Sequence, residues 1–356
     1  MVVRCNRTLG SMRVASSLLV LCLTAPIISS LKPSVAFTRQ AILLLHSSSN
    51  IYPTQRNMTA SSQQFDDPPL ATSSIPPAAK RTFDVYPYGT SNQALKDYKH
   101  TKVVHFVRHA IGTHNVHREY RALHNLDARL TDTGQEQCRA LAAKIAAANK
   151  TDNTALYHLR ESAQLVVTSP LTRCIQTATI SFQQLQLPVM AHPAVRETVN
   201  YNCDRRRTVA EIAADFDSTV DFSQVLSPHD DLWAAYEESL GCYETYDQHR
   251  ESGELYKVAD RGRHFFEWLD TRNESHVVVC SHAAFLRCLW NYGQHADGTI
   301  PFQPPQTLDD RGPDEVNVPV IRYCGDDDQG TFAKSMHESF LNCELRSVVV
   351  AFAHKE

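Results

Sequence analysis

The sequence predicts an α/β domain: a three-layer α/β/α sandwich on a mostly parallel central sheet. Two observations carry this. Short β-branched and apolar runs at 103–107, 165–168, 189–191, 277–280 and 347–352 read as buried strands, because a strand covered on both faces has no need of polar alternation. Stretches with helical periodicity lie between them. Strand followed by helix, repeated, is the pattern of parallel crossover units.

The N-terminus stands apart from that pattern. Arg4, Arg7 and Arg13 precede an apolar run at 18–28, followed by Ser29 and Ser30. The run is short for a bilayer span and has the layout of a signal peptide, assigned to residues 1–30. Ser34-Val35-Ala36-Phe37 then opens a Ser- and Thr-rich stretch with Arg39 and Arg56 and no acids up to Thr59, which resembles a two-part plastid presequence. Secretory-pathway entry is the expectation, with a plastid as one destination. An ordinary secretory leader or anchor, or a start at Met58 giving a cytosolic enzyme, are the alternatives. Residues 61–87 are rich in Ser, Pro and Asp without apolar periodicity, so 31–85 is read as transit-like segment and disordered linker. The folded domain is placed at 86–356, with folded structure from about Asp97.

Within that domain the run at 103–107 is the first strand. Thr131, Asp132 and Thr133 offer N-cap side chains, and Cys138, Leu141, Ala142 and Ile145 follow at helical spacing, which predicts a helix to about Ala148. The strand at 165–168 leads into a helix over 172–184, stopped before Pro188. After the strand at 189–191, helices are expected at 230–247 and 253–269, with Phe265, Trp268 and Leu269 on one face. The strand at 277–280 feeds a helix over 284–290. Residues 301–328, rich in Pro and Asp, read as loop, and 347–352 as the closing strand.

A formal net charge of −4 argues against a nucleic-acid partner, since such proteins usually carry a basic excess. Any anion site must be built locally from a few arginines. Ten cysteines are present, without CxxC or zinc spacing. Cys138, Cys174, Cys280 and Cys288 read as small buried hydrophobes. Cys203, Cys242, Cys324 and Cys343 lie in loop-like segments where a disulfide could form. His114, His117 and His124 have no accompanying acidic ligand pattern, so neither metal nor cofactor is expected.

Ligands of parallel sheets bind at the carboxyl ends of the strands. That rule selects Arg108, His109, Ser169, Arg173, Ser281 and His282, each just past a predicted strand. Two guanidiniums suit the equatorial oxygens of a transferring phosphoryl group, which they bind bidentately without losing charge. They also lower the pKa of a nearby imidazole and keep it neutral for attack on phosphorus. His109 is the candidate nucleophile, and His282 can donate a hydrogen bond to the transferring group. Glu197 can protonate the leaving oxygen and later deprotonate water.

These residues carry a resemblance. Val107-Arg108-His109-Ala110, Leu130-Thr131-Asp132-Thr133-Gly134-Gln135, Ser169-Pro170-Leu171-Thr172-Arg173-Cys174-Ile175-Gln176-Thr177-Ala178 and Ser281-His282-Ala283-Ala284-Phe285-Leu286 resemble, in order, the linked motifs of the histidine phosphatase superfamily, in its phosphoglycerate mutase-like branch. The resemblance covers roughly residue 100 to the end. It implies a phosphate pocket of Arg108, His109, Arg173 and His282, with Asn115 also on phosphate and Glu197 as proton donor. Position 283, where the other branch carries its acidic residue, is alanine here. Arg205, Arg206 and Arg207 resemble a substrate-facing insert, a plain solvated charge run being the alternative; Arg205 and Arg206 are the candidate substrate contacts. Ala110 and Ala283 stand where the family has glycine, which would add strain if either backbone needed φ > 0.

The expected activity is metal-independent hydrolysis of a phosphate monoester through a phosphohistidine on His109. The alternatives are a phosphoglycerate mutase-type phosphotransferase and an inactive phospho-ligand-binding protein on the same fold. The expected partner is a phosphorylated small molecule, with no nucleic acid and no stable membrane insertion of the mature domain. Substrate choice is assigned to 203–247 and 301–328.

Overall fold

The β-branched runs do form one sheet, in a computed structural model that describes residues 80–152, 154–216, 219–241, 251, 255–295 and 318–354. In chain order the elements are β1 (Phe83–Pro87), β2 (Tyr98–Arg108), α1 (Thr113–Val116), α2 (Asp132–Ala147), α3 (Ala155–Ser162), β3 (Leu165–Thr168), α4 (Thr172–Phe182), β4 (Val189–Ala191), α5 (Val209–Asp215), β5 (Val220–Asp221), α6 (Asp231–Leu240), α7 (Leu255–Asp270), β6 (His276–Ser281), α8 (Ala283–Asn291), β7 (Gly293–His295), β8 (Ile321–Tyr323), α9 (Thr331–His337) and β9 (Leu345–His354). Strand order is β5-β4-β3-β6-β2-β9-β1-β8-β7. β9 runs antiparallel to both its neighbours, and the other described pairings are parallel.

Period-two alternation divides the strand side chains between two cores. Val104, Phe106, Leu165, Val167, Val277 and Val279 pack with Phe265, Phe266 and Leu269 of α7 and Phe285 and Leu289 of α8. Val107, Val166, Val278 and Cys280 pack with Leu141 and Ile145 of α2, Leu159 of α3 and Phe182 of α4. Helices therefore cover both faces, as predicted, and the fold is that of the three-layer sandwich.

Several expected boundaries move. A strand, β1, occupies Phe83–Pro87 inside the expected linker, so folded structure begins well before Asp97. Phe83 and Val85 are fully buried between β9 and β8, and a segment this short shows no periodicity to the eye. β8 lies inside the expected loop at 301–328, where it pairs with β1. α3, α5 and α9 were not expected from the sequence; they have eight residues or fewer, too few turns for a stable period. α6 ends at Leu240, followed by Gly241 with φ 97°; residues 242–247, the rest of the expected helix, lie outside the described residues, as do 1–79 with the signal-like segment and most of the linker. The described cysteines, Cys203, Cys324 and Cys343 among them, are all free thiols. No helix among the described residues is long and apolar enough to cross a membrane.

Candidate active site

Strand register brings the predicted residues together. β6 lies between β3 and β2, and the parallel pairing sets Arg108 opposite Ser281 and Thr168 opposite Cys280. The ladder runs one residue past the strands, with His109 N–H donating to Ser281 O (2.9 Å) and Ser169 N–H to Cys280 O (3.0 Å). His109, Ser169 and His282 thus leave the sheet side by side.

His109 is buried, and its ring centroid lies 5.1 Å from that of His282. Its Nδ1 is 2.8 Å from the carbonyl of Ala110. A carbonyl only accepts, so Nδ1 carries the proton and Nε2 keeps its lone pair. Burial first, then Arg173, His114 and Arg108, hold the His109 pKa well below the ordinary histidine value. A neutral imidazole with Nε2 unprotonated is the form that can attack phosphorus. His282 is likewise kept neutral by burial and by Arg173. Its Nε2 is 2.8 Å from Ser169 Oγ and 3.2 Å from Cys174 Sγ.

Arg173 is the second residue of α4 and is almost wholly buried. Nη1 donates to Cys203 O (2.6 Å) and Nη2 to Asp204 Oδ1 (2.9 Å), while Nε has no partner. Arg108, at the end of β2, donates from Nη1 to Phe340 O (2.7 Å) and also leaves Nε unpaired. Each guanidinium is anchored at one edge and has a donor left for an anion.

Glu197 follows β4 by a short turn. Its Oε1 accepts from Phe285 N (2.9 Å) and Thr198 N (3.0 Å), and Oε2 from Ala284 N (3.2 Å). The carboxylate therefore sits on the first turn of α8, the helix capped by His282. Burial and then Asp204 push its pKa up, against the pull of Arg173 and the amides. A raised carboxyl pKa suits an acid.

The remaining candidates differ in placement. Asn115 Oδ1 accepts from Gly112 N (3.0 Å) and closes the turn after the nucleophile. Arg205 lies over the Trp233 ring (5.6 Å), with Nη1 3.8 Å from Glu237. Arg206 does not fit the expected role of substrate contact. It is buried, and its guanidinium donates to the carbonyls of Arg207, Pro228, Ser227 and His229, so its donors clamp the chain. Arg207 bonds Asp127 (3.0 Å), Thr172 (2.9 Å) and Asp215 (2.7 Å). Neither reading of this cluster, substrate grip or solvated run, describes Arg206. Neither Ala110 nor Ala283 has positive φ, so alanine in place of glycine adds no left-handed strain there.

Sequence reasoning gave no role in the site to three contributors. Asp204 neutralises Arg173. Asp127 accepts from Thr172 N (2.8 Å) and Thr172 Oγ1 (2.6 Å) at the start of α4. His114 lies beside His109, with ring centroids 5.6 Å apart. A signal existed for the first: a buried guanidinium needs a carboxylate, and Asp204 adjoins the arginine run.

The chain is similar to known proteins over most of its length. A family model described as histidine phosphatase superfamily (branch 1) matches residues 104–307. An Arabidopsis thaliana phosphoglycerate mutase-like protein is 30% identical over 283 residues, covering 70% of this chain and 84% of its own length. Phosphoglycerate mutase-like protein 1 of the same plant is 27% identical over 283 residues, covering 70% of this chain and 81% of its own. A solved mycobacterial glucosyl-3-phosphoglycerate phosphatase is similar at 16% identity with a TM-score of 0.35, covering 69% of this chain and 92% of that one.

Proposed function

The chain belongs to the histidine phosphatase superfamily, branch 1, and on that premise we propose that it hydrolyses phosphate monoesters through a phosphohistidine on His109. The coarser activity, phosphoryl transfer of the phosphatase or phosphotransferase type, follows from the family. The finer reading is supported above all by the state of His109, a neutral imidazole with its Nδ1 on Ala110 O, set near Arg108 and Arg173.

In the proposed reaction Nε2 of His109 attacks phosphorus as the bond to the leaving oxygen breaks. Arg108, Arg173 and His282 hold the equatorial oxygens, where preorganised donors are worth most. Glu197 gives its proton to the leaving oxygen. It then takes a proton from water, which attacks the phosphohistidine and releases phosphate and His109.

Hydrolysis is favoured over a mutase reaction by the arginine run. A mutase must grip the second anionic group of its substrate; the donors of Arg206 and Arg207 are already taken by the chain, and Arg205 lies over Trp233 beside the carboxylate of Glu237. The expected outcome is a phosphoryl label on His109 that survives alkaline quench and is lost in acid. Free phosphate should form faster than 2-phosphoglycerate when 3-phosphoglycerate is primed with 2,3-bisphosphoglycerate. Predominant 2-phosphoglycerate would establish the mutase alternative, and no turnover of any phosphorylated metabolite the inactive one.

A further inference from the structure

We propose that His114 is a third imidazole of the phosphoryl site, donating a hydrogen bond from Nε2 to a non-bridging oxygen of the group transferred to His109; this rests on the phosphohistidine reading above. His114 is only 4% exposed, and its ring lies 5.6 Å from that of His109. Its Nδ1 is buried without a hydrogen-bond partner. A neutral imidazole has one N–H and one acceptor nitrogen, and an unpaired buried N–H is rarer than an under-satisfied acceptor, so the unpaired Nδ1 is the acceptor and the proton lies on Nε2.

Packing is what holds the ring. On one side is Tyr120, its centroid 5.8 Å away. On another is Gly112, where an added Cβ would come within 2.8 Å of both Cε1 and Nδ1. Glycine there makes room for the ring and places Nδ1 against the backbone. Nε2 is the ring atom left to reach an anion held by Arg108 and Arg173. Both arginines act on His114, after burial, to depress its pKa to about 2. It is therefore a neutral hydrogen-bond donor at any working pH, beside the charged fork of each arginine. Donors fixed before the reaction need no reorganisation as charge shifts onto the phosphoryl oxygens.

Two substitutions in the full-length chain separate this role from mere filling of space. His114→Phe keeps a planar ring and loses the donor. His114→Gln carries an amide nitrogen at about the reach of Nε2. The expected result is a kcat lowered about 10²–10³-fold in His114→Phe with KM little changed, and at least a tenfold recovery in His114→Gln. Affinity for orthovanadate, measured by calorimetry, should weaken in His114→Phe and recover in His114→Gln. Vanadate binding needs no turnover, so a wild-type protein that binds vanadate but hydrolyses nothing refutes the phosphatase reading and leaves the His114 contact to be judged by affinity. Should His114→Phe fail to fold, Gly112→Ala, which pushes the ring aside, is expected to lower kcat and vanadate affinity in the same way. Unchanged vanadate affinity in the folded variant, or equal loss in Phe and Gln alongside equal loss of melting temperature, overturns the proposal.

Discussion

The carboxyl of Glu197 is pulled in two directions. Three backbone amides and Arg173 favour its charged form, while burial and Asp204 favour the neutral one and prevail. The chemistry asks for this balance, since the group must hold a proton, deliver it and take another. The raised pKa has a sign: the protonated acid persists to higher pH than an ordinary glutamate and is lost as pH rises through the raised value. Glu197→Gln is therefore expected to slow alkyl phosphates by about 10²–10⁴-fold and activated aryl phosphates much less. Equal loss on both substrates would mean that Glu197 serves α8 and not the leaving group.

Asp127 does for α4 what no side chain in that helix does for itself. The N-cap residue Leu171 has no acceptor, and Asp127 reaches across from the preceding loop to take the Thr172 amide and hydroxyl. It also pairs with Arg207, which ties the arginine run to the helix that carries Arg173. Its own backbone is left-handed, with φ 48°, a conformation that Asp and Asn tolerate better than most. Asp127→Ala is expected to lower stability by about 1–2 kcal/mol, with Asp127→Asn losing less, as read by denaturant midpoints; equal loss in both would show that charge, not capping, matters. In α2 it is Gly134 that matters, because a Cβ there would run into the carbonyl of Ile111, in the loop after the nucleophile.

At the level of the whole molecule, the sheet sets where the chain can be cut. β1 lies between β9 and β8, Phe83 and Val85 are core residues, and buried Asp84 receives Arg322 at 2.6 Å and the Tyr98 hydroxyl at 2.5 Å. Removal of residues 1–79 is expected to leave melting temperature and turnover unchanged, whereas removal of 1–87 should destabilise the domain severely. Equal behaviour of the two truncations would show that β1 is dispensable. Burial also keeps several histidines neutral across the domain: His105 is depressed to about 3 and His192 to about 4, with His109 and His282 well below the ordinary value. Their folded pKa values lie below the unfolded one, so the unfolded chain takes up protons first. Stability should be intact above about pH 6.5 and fall as pH drops below it, by up to about 1.4 kcal/mol per pH unit for each such histidine. Denaturant midpoints at pH 7.5 and 5.0 measure this, and a flat profile would mean that these rings reach water.

The sequence by itself determined what depends on local periodicity and on linked motifs. Buried strands such as 165–168 and 189–191 were legible to the residue, because apolar runs bounded by polar residues need no distant partner to be recognised. The same holds for α2, whose Thr131 cap accepts from Gly134 N within its own first turn. His109, Arg173 and His282 could be named because each follows such a strand or opens the helix after it. Tertiary structure alone decided the rest. β1 and β8 exist as strands because β9 and each other supply their hydrogen bonds, and nothing within five or three residues announces that. Arg206 looks like a substrate contact in the sequence and is a clamp on four carbonyls in the fold. Asp204, Asp127 and His114 enter the site through distance and burial. A charge or an imidazole acquires its role from the groups that replace water around it, and the chain sets those neighbours only when it folds.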